Sequence, residues 1–182
     1  AGIDQNLNKD ELEKILMLIK ERESQGYSYD TAQASFELLA RRTLGQLPEF
    51  FDVKRYKVTV ERRKNKYNKM ISLSEAVVVV KVDGQKKLSV SESLDEFGSD
   101  RGPVNALAKA LAKDLGQYQR FIDDMRLVDF KVRITQGGTE AVTRVIIDSE
   151  DSTGRRWATV GVSANIVDAS FDALIDAMNW KI

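Results

Sequence analysis

The pattern V-x-A-x-x-x-A-L occurs twice in this 182-residue chain, as Val104, Ala106, Ala110 and Leu111 and again as Val167, Ala169, Ala173 and Leu174. Each copy opens a segment of helical periodicity, and three strand-like runs precede each. The order βββα, read twice, predicts an α+β fold of two βββα units related by a pseudo-twofold axis. Such a duplication would bring two helix starts together around that axis, a place to hold a small zwitterionic ligand.

Composition narrows the chemistry. The chain has no histidine and no cysteine. Ser-His-Asp triads, Cys-His dyads, His-type zinc sites and imidazole acid–base catalysis are therefore impossible within it, and a disulfide scaffold is excluded. Twenty-eight basic residues balance 28 acidic ones, which gives no general pull toward nucleic acid or an anionic membrane. Hydrophobic residues reach 42%, enough for a core, and no apolar run approaches a membrane span. The expectation is a cytoplasmic sensing module, with no nucleic-acid or membrane partner.

Residues 1–47 read as helical. Asn8 precedes Lys9-Asp10-Glu11, and Leu12, Ile15, Leu16 and Ile19 make an apolar stripe that ends near Gly26. Ser28 or Asp30 is the expected cap of a second helix carrying Ala32, Phe36, Leu39 and Ala40 to about Arg42. Two such helices bury little alone and must lean on something else. Gly45 and Pro48 mark a boundary.

From Arg55 the period becomes two. Tyr56, Val58 and Val60 predict a strand with one buried face, and Arg62 to Asn68 a polar turn. The run Ala76 to Val82, with four consecutive valines, predicts a strand buried on both faces, and Asp83-Gly84 a tight turn into a third strand, Lys87 to Glu92. After a loop from Ser93 to Arg101, Pro103 suits the first turn of a helix that runs toward Gly116. The second unit repeats the order. Phe130, Val132 and Ile134 alternate, Gly137-Gly138 turns, and Val142 to Asp148 and Arg156 to Ser163 are strands. On the last of these, Trp157, Thr159 and Gly161 share a side, and Asn165 caps a helix with stripe Ile166, Ala169, Ala173, Leu174 and Ala177. Tyr118 to Met125 links the units.

Several clusters invite a functional reading. The basic run Lys54, Arg55, Lys57, Arg62, Arg63, Lys64, Lys66 and Lys69 suggests a double-stranded-RNA module, but net neutrality favours a solvated hairpin. Asp148, Glu150 and Asp151 lack the pattern of a calcium loop and read as a turn. Tyr27, Tyr29 and Glu37 have no partner at catalytic spacing, so no catalytic residue and no metal ligand is assigned. The helix starts, Gly98 to Asn105 and Gly161 to Ile166, are the best candidates. Backbone N–H groups there attract a carboxylate, and Val104 and Ile166 offer apolar walls.

The segments Gly102-Pro103-Val104-Asn105-Ala106-Leu107, Asp129 to Ile134, Gly138 to Val145 and Trp157 to Ser170 resemble the C-terminal regulatory domain of the α-isopropylmalate synthase and citramalate synthase family. Gly26-Tyr27 and Ala34 to Leu39 resemble the linker subdomain of its citramalate synthase branch. The resemblance implies a helical linker subdomain at 1–47 and a regulatory domain at 48–182, with units at 54–116 and 127–182. It implies a larger parent enzyme whose barrel, not represented in this chain, uses acetyl-CoA and a divalent metal; for the chain itself it implies no cofactor. It also implies a homodimer inhibited by an end-product amino acid, isoleucine or leucine. Matching positions to the family's effector pocket gives Val104, Asn105, Leu127, Phe130, Ile134, Ala164 and Ile166. Phe130 stands where many relatives have Tyr, and Ala164 where many have Pro.

Overall fold

The computed structural model describes residues 7–95, 102–135 and 141–182. Two helices come first, α1 (Lys9–Ser24) and α2 (Gln33–Thr43). Then follow β1 (Asp52–Lys64), β2 (Met70–Val82), β3 (Gln85–Asp95), α3 (Pro103–Leu111) and the short α4 (Gln119–Ile122). The chain finishes with β4 (Arg126–Ile134), β5 (Thr143–Glu150), β6 (Arg156–Ser163) and α5 (Ile166–Lys181). The two sheets, β1-β2-β3 and β4-β5-β6, are antiparallel, so the βββα order holds in both copies. Two compact units result: Glu49–Asp123, and the residues up to Pro48 together with Asp124–Ile182.

In the unit Glu49–Asp123, Asp83 and Gly84 both adopt positive φ, as a two-residue I′ hairpin requires. The Asp83 carboxylate then accepts from Gln117 Nε2 at 2.6 Å. Ala76, Val78, Val80 and Val82 form the buried face of β2, with Ser89 and Ser93 of β3 beside them. Ala106, Leu107, Ala110 and Leu111 of α3 are fully buried against this face. The expectation of burial on both faces fails: Val77 and Val79 are half-buried, and their neighbours Leu88 and Val90 are 63% and 40% exposed. The β1–β2 ribbon is also longer than expected, because Arg62, Arg63 and Lys64 pair with Ser72, Ile71 and Met70 and push the turn to Asn65–Lys69. α3 stops at Leu111, short of Gly116, which instead opens a single 3-10 turn.

The other unit is organised by contact between β6 and α5. Trp157 Nε1 donates to the Ala177 carbonyl at 3.1 Å, and Thr159 Oγ1 to the Ala173 carbonyl at 2.7 Å. At Gly161 a Cβ would stand 1.8 Å from the Ala169 carbonyl oxygen, so only hydrogen fits. Two residues of strand advance about 6.7 Å and four of helix about 6 Å, so positions 157, 159 and 161 meet 177, 173 and 169 in step along an antiparallel pair.

The helical segment leans on this pair. Ala34, Trp157 and Ala177 form one core cluster, with Met125 and Trp180 packed against it. Ser35 lies along the free edge of β6, where its Oγ accepts from Val160 N–H at 3.0 Å and donates to Asp176 at 2.8 Å. An edge strand thereby loses an unpaired donor to a helix instead of exposing it. Asn8 and Glu11 form a reciprocal capping box at the start of α1, but Ile15 alone of its stripe is buried, with Leu12 and Leu16 each 47% exposed. α2 starts at Ala32 with no side-chain cap, so neither Ser28 nor Asp30 serves.

Gly161→Ala is expected to cost about 3 kcal/mol, the upper end of the overpacking range. Circular dichroism should then record melting roughly 6–12 °C lower. Ser35→Ala strands the Val160 amide and should cost about 1–3 kcal/mol, read as a lower urea midpoint at unchanged slope.

Candidate effector site

β4 is the outer strand of its sheet. Phe130 lies opposite Ile147, Val132 opposite Val145 and Ile134 opposite Thr143, so all three share the face on which α5 packs. α5 covers β5 and β6 and stops short of β4. The result is an uncovered apolar strip: Phe130 is 40% exposed, Val132 41% and Ile134 71%. Register places the start of α5 at one end of the strip, because Ile134 pairs with Thr143 and Thr143 with Ser163, two residues before Asn165. Ala164 is exposed there, and Ile166 is 45% exposed. The expected inward stripe therefore begins at Ala169. Leu127 sits seven residues before Ile134, about 23 Å away in an extended strand, farther than one free amino acid reaches. Leu127 is half-buried and pairs with Ser149.

The two helix starts differ. Asn165 caps α5 with its side chain, taking the Val167 amide at 2.8 Å. α3 has Gly102 at its N-cap and Pro103, which has no N–H, in its first turn; no side chain caps it, and the Asn105 amide donates to the Gly102 carbonyl at 3.1 Å. Val104 and Asn105 are half-buried in the unit Glu49–Asp123, whereas the other five candidates belong to the second unit. Gly98 to Arg101 and Gly137-Gly138 lie outside the described residues.

The remaining clusters resolve into local structure. The basic residues of the β1–β2 ribbon are exposed, Arg55 and Lys57 on one face and Arg62 and Lys64 on the other, while Lys54 pairs with Asp52. Of Asp148, Glu150 and Asp151, only Asp151 lies in the β5–β6 turn; Asp148 and Glu150 are strand residues of β5, opposite Ala158 and Arg156. Asp151 accepts from Lys181 Nζ at 2.8 Å and from Thr153 Oγ1 at 2.6 Å, and these donors hold its carboxyl far below the usual range. Among the described residues, no helix is long and apolar enough to cross a membrane.

Sequence reasoning missed one concave feature. A cleft of about 300 Å³ lies between the α1–α2 segment and α5, bordered by Arg22, Tyr27, Tyr29, Arg42, Asp172 and Asp176. Burial pushes the Tyr29 hydroxyl up to about 12 and the Asp172 carboxyl up to about 6, the latter aided by Asp176 and Asp168. Burial likewise raises Asp176, opposed by Arg42, whose Nη1 lies 2.9 Å from it. Nothing short-range in the sequence joins Arg22 to Asp172, so no spacing rule reveals the cleft.

Comparison with known proteins fits this architecture. Residues 30–182 match the model of the LeuA allosteric (dimerisation) domain. An (R)-citramalate synthase of Geobacter sulfurreducens is 42% identical over 171 residues, 93% of this chain and 30% of that protein. The (R)-citramalate synthase of Aquifex aeolicus is 38% identical over 183 residues, covering 100% of this chain and 33% of the relative. A 2-isopropylmalate synthase of Pseudoalteromonas atlantica is 32% identical over 86% of the chain and 29% of its own length. The chain thus spans about a third of the length of the curated relatives it matches. With its doubled βββα order and a match running from residue 30 to the last, the chain belongs to the LeuA allosteric (dimerisation) domain family.

Proposed function

We propose that this chain is the effector-sensing, dimer-forming part of a cytoplasmic citramalate synthase and that free isoleucine is its signal. The observation that carries the reading is the uncovered apolar strip of β4 beside the start of α5. Side chains of this size, left open on an edge strand, favour a branched aliphatic ligand or a second copy of the chain, and a dimer-forming effector site has use for both. Phe130, Ile134, Ala164 and Ile166 are the proposed contacts in this unit. Val104 and Asn105, at the uncapped start of α3, are proposed to take a carboxylate. Leu127 is too far along β4 to join Ile134 around one ligand.

Isoleucine is preferred to leucine because relatives named citramalate synthase reach 36–42% identity, against 28–32% for those named 2-isopropylmalate synthase. Condensation of acetyl-CoA with a 2-oxo acid at a divalent metal is proposed for the parent enzyme, on residues other than these. Binding shifts that distant activity only if the effector prefers one state of the enzyme, typically by about 1–3 kcal/mol.

Isoleucine at 100 times its dissociation constant should stabilise the chain by about 2.7 kcal/mol, raising its melting temperature by roughly 5–10 °C. Phe130→Ala and Val104→Trp should each abolish the shift. A larger shift with leucine would move the assignment to 2-isopropylmalate synthase. No shift with either amino acid would end the reading.

A further inference from the structure

The cleft beside α5 contains two opposite charges, Arg22 and Asp172, that act on each other through space without a direct ion pair. Asp176 is satisfied by Ser35 and Arg42. Asp172, one turn earlier on α5, forms no ion pair among the described residues, and neither does Arg22 of α1. The Arg22 guanidinium donates to Tyr27 Oη at 3.2 Å and stands 5.1 Å over that ring, and its charge lowers Asp172 and Asp176 against the rise that burial causes. Leu39, Val160 and Ile175 add apolar lining to the same cleft.

We propose that this cleft is a second ligand site, for a small aliphatic zwitterion whose ammonium group meets Asp172 and whose carboxylate meets Arg22. The volume of about 300 Å³ holds a molecule of that size. A simple amine leaves Arg22 without a direct partner, and a simple acid leaves Asp172 so. A zwitterion answers both, and its short aliphatic part covers Leu39 and Ile175. The site shares no residue with the proposed effector contacts and stands or falls separately from them.

The test is calorimetric titration of the 182-residue chain carrying Phe130→Ala, so that the β4 strip does not contribute. The probes are L-valine, n-butylamine and butyrate. Valine is expected to saturate one site per chain, at least tenfold tighter than either single-charge probe. Asp172→Asn and Arg22→Gln should each weaken it at least tenfold while melting stays within a few degrees. If either variant unfolds, Asp172→Glu and Arg22→Lys report on the same contacts.

Lowering the pH from 7.5 to 5 should also weaken valine binding, because Asp172 loses its charge near 6. The other charged and titratable groups that face it are Arg22, Arg42, Tyr27 and Tyr29, with Asp168 and Asp176 on its own helix; burial raises both tyrosines and Asp176. Absence of saturable binding, affinity in the two charge variants unchanged from the parent chain, or equal binding of all three probes would overturn the proposal. So would a shared, non-additive loss of stability in the two variants without ligand, since it would show Arg22 and Asp172 paired with each other.

Discussion

The second unit depends on how closely one helix approaches one strand. At Gly161 the backbone of α5 occupies the space a methyl group would need, and Thr159 and Trp157 donate to carbonyls of the same helix one and two turns on. These bonds take up acceptors inside a helix already bonded to itself, and they hold α5 at a fixed height and azimuth over the sheet. The alanines at 169, 173 and 177, each fully buried, make the approach possible because a larger side chain would lift the helix away. In the unit Glu49–Asp123 the same solution appears with different residues: fully buried Ala106 and Ala110 lie against a sheet face that presents Ala76, Ser89 and Ser93.

Fixing α5 has consequences on both of its flanks. On one side it exposes the β6 edge to α2, where Ser35 bridges Val160 and Asp176 and the Trp180 indole donates to Glu37 at 2.9 Å. On the other it leaves β4 without a cover, so that alternate apolar residues face outward beside the helix start. A helix wide enough for two strands, set over a three-stranded sheet, must leave one strand bare, and that bare strand is where the proposed effector contacts gather. The same helix carries Asp172 and Asp176 toward α1 and α2. Movement of α5 would therefore be felt by both proposed ligand sites, which gives a fixed element a role in communication without requiring it to deform.

Much of this was legible in the residues. β6 was read with its observed bounds, and the side shared by Trp157, Thr159 and Gly161 was correct because a half-buried strand repeats every two residues. The caps Asn8 and Asn165 and the Asp83-Gly84 hairpin were readable because their chemistry is local. Misreadings arose where partners decide. Leu12 and Leu16 have helical spacing yet stay 47% exposed, and the second row of β2 valines lies on the sheet face opposite the one that α3 covers.

The sequence by itself determined the element order, the duplication, the absence of imidazole and thiol chemistry and the apolar identity of the proposed effector contacts other than Asn105, since each follows from residue type or short spacing. Only the tertiary structure decided that Leu127 stands apart from Ile134, that the strip on β4 is uncovered, and that Arg22 and Asp172, 150 positions apart, border one cleft. The physical reason is that periodicity reports which face of an element is apolar, whereas coverage and charge pairing depend on where other elements come to rest.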